Sequence, residues 1–95
     1  MSKRTKKYTQ RLIHFLGGSD SVDPNKAHAL LTTVDAPVLK RATDKLDALH
    51  DDRDINTITG AAFAEWRQRI LECIREAHGG ELGLALHHLS EDMSR

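Results

Sequence analysis

Residues 57–77 read TITGAAFAEWRQRILECIREA, and the spacing of their apolar members decides the fold. Phe63, Trp66, Ile70, Cys73 and Ala77 recur at alternating intervals of three and four. That places them on one face of a helix, a seam suited to packing against neighbouring helices at a shallow angle. Thr57 or Thr59 supplies the side-chain oxygen that caps the helix start. Glu65, Arg69 and Glu72 ladder along its exposed side. His78-Gly79-Gly80 is read as a sharp stop. Beyond it Leu82, Ala85, Leu86, Leu89 and Met93 form a last short stripe.

Upstream the same period recurs, and no segment alternates as a strand would. Tyr8, Leu12, Phe15 and Leu16 share a face, with Lys7 and Arg11 beside it and Gly17-Gly18 as the stop. Asp23-Pro24 opens a second helix: aspartate accepts from exposed amides, and proline at the first position loses no needed hydrogen bond. Ala27, Leu30, Leu31 and Val34 are its stripe. Asp35, with Pro37 close behind, repeats the start signal for a third helix carrying Leu39, Ala42, Leu46 and Leu49. Lys40 and Asp44 stand one turn apart on its polar face. His50-Asp51-Asp52-Arg53-Asp54 has no apolar residue and is expected to be the main loop.

These stripes predict an all-α fold, a compact bundle of about five short amphipathic helices, with a death-fold-like helical bundle as the alternative topology. The 95 residues suffice for one core, so residues 1–95 are expected to form a single domain, with residues 1–7 as a flexible basic arm. Trp66, Ile70 and Ile74 are expected in the core beside Leu31, Leu46 and Leu86. On that placement Trp66→Ala should cost about 3–5 kcal/mol. No apolar run approaches membrane-spanning length, and the N-terminus lacks a signal-peptide pattern. The lone Cys73 can form no internal disulfide, so a reducing, cytoplasmic location is expected.

Formal net charge is zero, yet the fourteen basic and fourteen acidic residues are unevenly distributed. Lys3, Arg4, Lys6, Lys7 and Arg11 precede the first acid at Asp20, and the rest of the chain is acidic in excess. Asp44, Asp47, Asp51 and Asp52 form a candidate acidic patch for a partner with a basic surface. The basic segment and the acidic body can also satisfy each other, within the fold or in a homodimer.

Candidate chemistry meets specific obstacles. His78, His87 and Glu91 are the best metal candidates, but the paired spacings typical of zinc ligands are absent, and no metal or cofactor is expected. Cys73 lies on the apolar seam without a histidine in evident reach, and is expected to act as a small core residue. Counted from Asp51, a calcium loop would need glycine and glutamate where Asn56 and Ala62 stand. Neither Gly-Gly pair is part of a phosphate-binding loop. No enzyme activity is expected.

Residues 25–49 partly follow helix-turn-helix spacing, with Ala29 inside the first helix, Val34-Asp35 at the turn and Leu39 inside the second. Lys40 and Arg41 would face a DNA groove. Thr33 stands where the turn favours glycine, and Asp44 and Asp47 would repel phosphates. A small nucleic-acid-binding regulator, using this unit and the basic N-terminal helix, is the second functional expectation. The first is a non-enzymatic protein-binding module: an inhibitor, immunity-type or adaptor protein. No membrane role is expected, because the apolar stripe beside the basic residues is short.

The run His78-Gly79-Gly80-Glu81-Leu82-Gly83-Leu84-Ala85-Leu86-His87-His88-Leu89 resembles a segment of small helical bacterial immunity proteins, in which a Gly-Glu turn precedes a Leu-Ala-Leu helix. The resemblance covers about a dozen residues. It implies a stoichiometric inhibitor that binds and blocks a toxin without chemistry of its own.

Overall fold

The computed structural model describes residues 3–17, 21–51, 54 and 56–92. The described residues form five helices and no strand: α1 (Lys3–Phe15), α2 (Pro24–Leu31), α3 (Ala36–Asp51), α4 (Ile58–Arg75) and α5 (Gly79–Asp92). The all-α expectation holds. Helix α3 lies at the centre, packed against α1, α5 and α4, while α5 also packs on α4 and α2. Leu12 of α1 and Leu16 just after it, Ala27 and Leu31 of α2, Leu39 and Leu46 of α3, Ile70 and Ile74 of α4, and Leu82, Leu86 and Leu89 of α5 are fully shielded from solvent. One apolar cluster thus runs through all five helices.

Local chemistry sets the helix ends. The Asp23 carboxylate accepts from the Asn25 amide at 3.0 Å and Pro24 takes the first position of α2, as expected. Of the two threonines offered for α4, Thr57 is the cap, its hydroxyl accepting from the Gly60 amide at 2.9 Å. After α1, Gly17 takes φ +100°, and a Cβ there would fall 2.5 Å from Ser21 Oγ and 2.7 Å from the Arg67 guanidinium. Gly18 lies outside the described residues. Arg67 in turn donates to the Leu16 carbonyl at 3.0 Å, satisfying an acceptor that the helix end leaves open.

Three expectations about element ends and burial are corrected. His50 and Asp51 belong to α3 rather than to a loop. The reason is packing: the His50 ring sits 5.3 Å from Phe15 and 5.4 Å from Phe63, centroid to centroid, which holds the last turn of α3 against α1 and α4. Second, α4 stops before Gly79-Gly80. Its last helical residue is Arg75, and Ala77 takes φ 59°. The His78 amide donates to the Cys73 carbonyl at 2.9 Å and the Ala77 amide to the Ile74 carbonyl at 3.1 Å. That crossed pair is a Schellman turn with alanine in the left-handed position usually given to glycine. Gly79 and Gly80 instead open α5, and Gly79 lets Leu30 approach to 3.3 Å of where a Cβ would be.

Third, Ile70, Ile74, Leu31, Leu46 and Leu86 are core residues, but Trp66 is only half-buried and Ala77 is exposed. Trp66 lies at the edge of the cluster with the Arg69 guanidinium 5.0 Å from its ring centroid. Leu30 is likewise only partly buried. The described part of α1 begins at Lys3, so its backbone runs through most of the 1–7 stretch read as an arm.

Candidate functional site

The two charged segments singled out in the sequence meet at Arg11. Arg11 on α1 lies 3.1 Å from Asp47 and 3.9 Å from Asp44 on α3. Lys40 donates to Asp44 at 2.9 Å across one turn of α3. That hydrogen bond, reinforced by the aspartate's charge, pushes the Lys40 ammonium above its ordinary value. Asp51 is exposed at the end of α3, and Asp52 lies outside the described residues. Lys7 is exposed on α1. Lys3, Arg4 and Lys6 belong to the same helix, with side chains outside the described part. Asp44 and Asp47 are therefore largely matched within the fold.

Three other described cations are committed too. Lys26 donates to the Arg75 carbonyl at 2.8 Å, placing a positive charge where the C-terminus of α4 carries partial negative charge. Arg75 reaches the Ser21 carbonyl at 3.4 Å, and Arg67 holds the end of α1. Arg69 lies over the Trp66 ring, and Lys7, Arg41 and Lys45 remain. The proposed helix-turn-helix unit is not assembled as one: α2 and α3 make little contact with each other, because α2 packs on α1, α5 and α4 instead. Ala29, which that spacing would bury against the second helix, is exposed.

The Schellman turn folds α5 back beside α4 and opens a groove between them of about 410 Å³. Arg69, Glu72 and Cys73 line it from α4, Glu76 from the residue that caps α4, and Glu81, Leu84 and Ala85 from α5. Among the described residues no Lys or Arg lies within ion-pair distance of Glu72, Glu76 or Glu81. Glu72 accepts from the Gln68 amide at 3.1 Å, and Glu76 lies 3.3 Å from His78. Leu84 is 56% exposed, a leucine presented to solvent beside three carboxylates. Cys73 closes the floor at 8% exposure, as the sequence predicted for a seam residue. Burial first, and then the Glu81 charge, pushes its thiol up from the ordinary value, so the site disfavours the thiolate that nucleophilic chemistry needs.

No family model, curated protein or solved structure matches this chain. Its functional reading therefore stands on the groove and the charge distribution.

The remaining candidates are dispersed. His87 pairs with Glu91 at 2.8 Å along α5, while His78 turns to Glu76, so the three metal candidates do not converge. Among the described residues no group of three or more His, Cys, Asp or Glu side chains is arranged to hold a metal ion. Within the same residues no helix is long and apolar enough to cross a membrane. Glu76 was not singled out in the sequence, and Glu81 and Leu84 entered only through the resemblance of residues 78–89, not as groove residues. Glu72 and Glu76 stand one turn apart and were legible as a pair, but Glu81 joins them only through the turn at Ala77.

Proposed function

We propose that this chain is a non-enzymatic protein-binding module, of the adaptor or inhibitor kind, and that the α4–α5 groove is its docking site. The occupant is a basic amphipathic helix of a partner protein. The observation that carries this reading is the contrast in charge: Asp44 and Asp47 are answered by Arg11 and Lys40, while Glu72, Glu76 and Glu81 have no Lys or Arg partner among the described residues. Three such carboxylates around an apolar floor and an exposed leucine complement a helix bearing lysines or arginines beside an apolar stripe. The cleft between two helices also has the shape that a third helix fills. The same carboxylates would repel phosphates, and of the basic N-terminal segment Arg11 is held by Asp44 and Asp47.

Titration with an amidated helical peptide of lysine and leucine, leucines on one face, tests the proposal by calorimetry. Stoichiometric binding is expected, weakening with salt, and lost when Glu72, Glu76 and Glu81 are together changed to glutamine. Binding that survives those three changes, or equal binding of a glutamate-for-lysine control peptide, would remove the groove as the docking site. Salt-sensitive binding of duplex DNA with no binding of the peptide would favour a nucleic-acid role.

A further inference from the structure

The groove has one cation in its lining, and the position of that cation is unusual. Arg69 has Glu65 four residues before it and Glu72 three residues after it, both at spacings that let helix side chains pair. The Glu65-to-Arg69 order is also the favourable one for the helix dipole. Arg69 nevertheless forms an ion pair with neither; its guanidinium lies over the Trp66 ring, 5.0 Å from the centroid. An exposed tryptophan face attracts a guanidinium at least as strongly as an exposed carboxylate one turn away does, and the indole is the least mobile of the three partners.

We infer that Trp66 is a positioning residue for the groove: its ring holds Arg69 away from Glu72, Glu76 and Glu81 and so keeps the acidic lining open to a partner's cations. This rests on the groove being the docking site. Without the ring, Arg69 would turn along α4 to Glu72, placing a built-in cation where the partner's lysine or arginine belongs. It also accounts for a tryptophan at the edge of the core, half-buried, where an aliphatic residue would fill the same space.

The test is a double-mutant cycle with the lysine–leucine peptide, which separates an indirect role of Trp66 from direct contact. Trp66→Leu should weaken binding about threefold to tenfold, the scale of one or two exposed charge contacts. Trp66→Phe keeps an aromatic face and should restore most of that loss. In an Arg69→Gln background, Trp66→Leu should change affinity by less than about twofold, because the competing cation is gone. An equal loss in both backgrounds would mean that Trp66 touches the peptide itself, and would overturn the inference while leaving the groove as the docking site. Failure of the wild-type chain to bind the peptide would overturn both. A ligand-free measurement covers the case in which Trp66→Leu does not fold. In the wild-type chain the Arg69 side-chain protons should show upfield ring-current shifts by NMR, and their absence would contradict the inference.

Discussion

The α1–α3 seam and the α4–α5 groove use the same chemical groups, carboxylates and cations on neighbouring helical turns, and reach opposite states. At the seam Arg11 and Lys40 are drawn onto Asp44 and Asp47, so these two aspartates become part of an internally matched cluster. At the groove Glu72, Glu76 and Glu81 converge after a chain reversal, and the single lining cation is turned to Trp66. Charge segregation along a sequence is therefore a poor guide to charge at a surface. Aspartates read as a free patch are matched by Arg11 and Lys40 in the fold, and modest local clusters brought together by a turn remain available.

The largest expected difference between the regions is in stability. Asp44→Lys with Asp47→Lys places three like charges around Arg11 and should cost about 2 kcal/mol, or roughly 8–16 °C in melting temperature for a domain this size. Glu72→Lys with Glu76→Lys should change stability by less than about 0.5 kcal/mol, since no Lys or Arg among the described residues pairs with them and both are exposed. Comparable losses at both sites in thermal melts would erase the distinction. Ala77→Gly relieves the left-handed strain in the turn that forms the groove and should stabilise by about 1 kcal/mol in urea unfolding. Peptide affinity should be unchanged, because the turn is kept. Arg11→Gln should cost about 0.5 kcal/mol at low salt and nearly nothing at high salt, since the pair is partly exposed.

The smallest effect is at alkaline pH. Cys73 and Lys40 both have folded-state values raised above their ordinary ones, Cys73 by burial and Lys40 by its bond to Asp44. A raised group contributes stability that is complete below its unfolded value and is lost as pH rises through the folded one. For Cys73 that window opens near 9.0, and for Lys40 near 10.5. Cys73→Ala should flatten the first part of the decline in stability with pH, and an unaltered slope would place the thiol in water.

Much of the fold is legible in the sequence because its signals are local. Asp23-Pro24 and Thr57 state where helices begin, and Leu39, Leu46, Ile70, Ile74 and Leu86 fall at the helical period and are buried. The departures come from tertiary contacts that override local preference. His50 looks like a loop residue until Phe15 and Phe63 pack against it, and Ala77 takes a glycine conformation because two crossed hydrogen bonds and the docking of α5 require it. Trp66 sits on the apolar stripe at its solvent edge, a distinction that periodicity does not carry. The acidic aspartates and the basic N-terminal residues were visible as charge and their pairing as one alternative, but not that Arg11 would be the residue to reach Asp44 and Asp47. The groove was the least visible feature, since Glu81 and Leu84 meet Glu72 and Cys73 only after the chain reverses.

The most direct test of the central claim is an amide chemical-shift map of the full chain titrated with the lysine–leucine peptide. The account predicts perturbations concentrated at residues 69–76 and 81–85, with Arg11, Asp44 and Asp47 little changed. Perturbations centred on α1 and α3, with the α4–α5 groove silent, would contradict it.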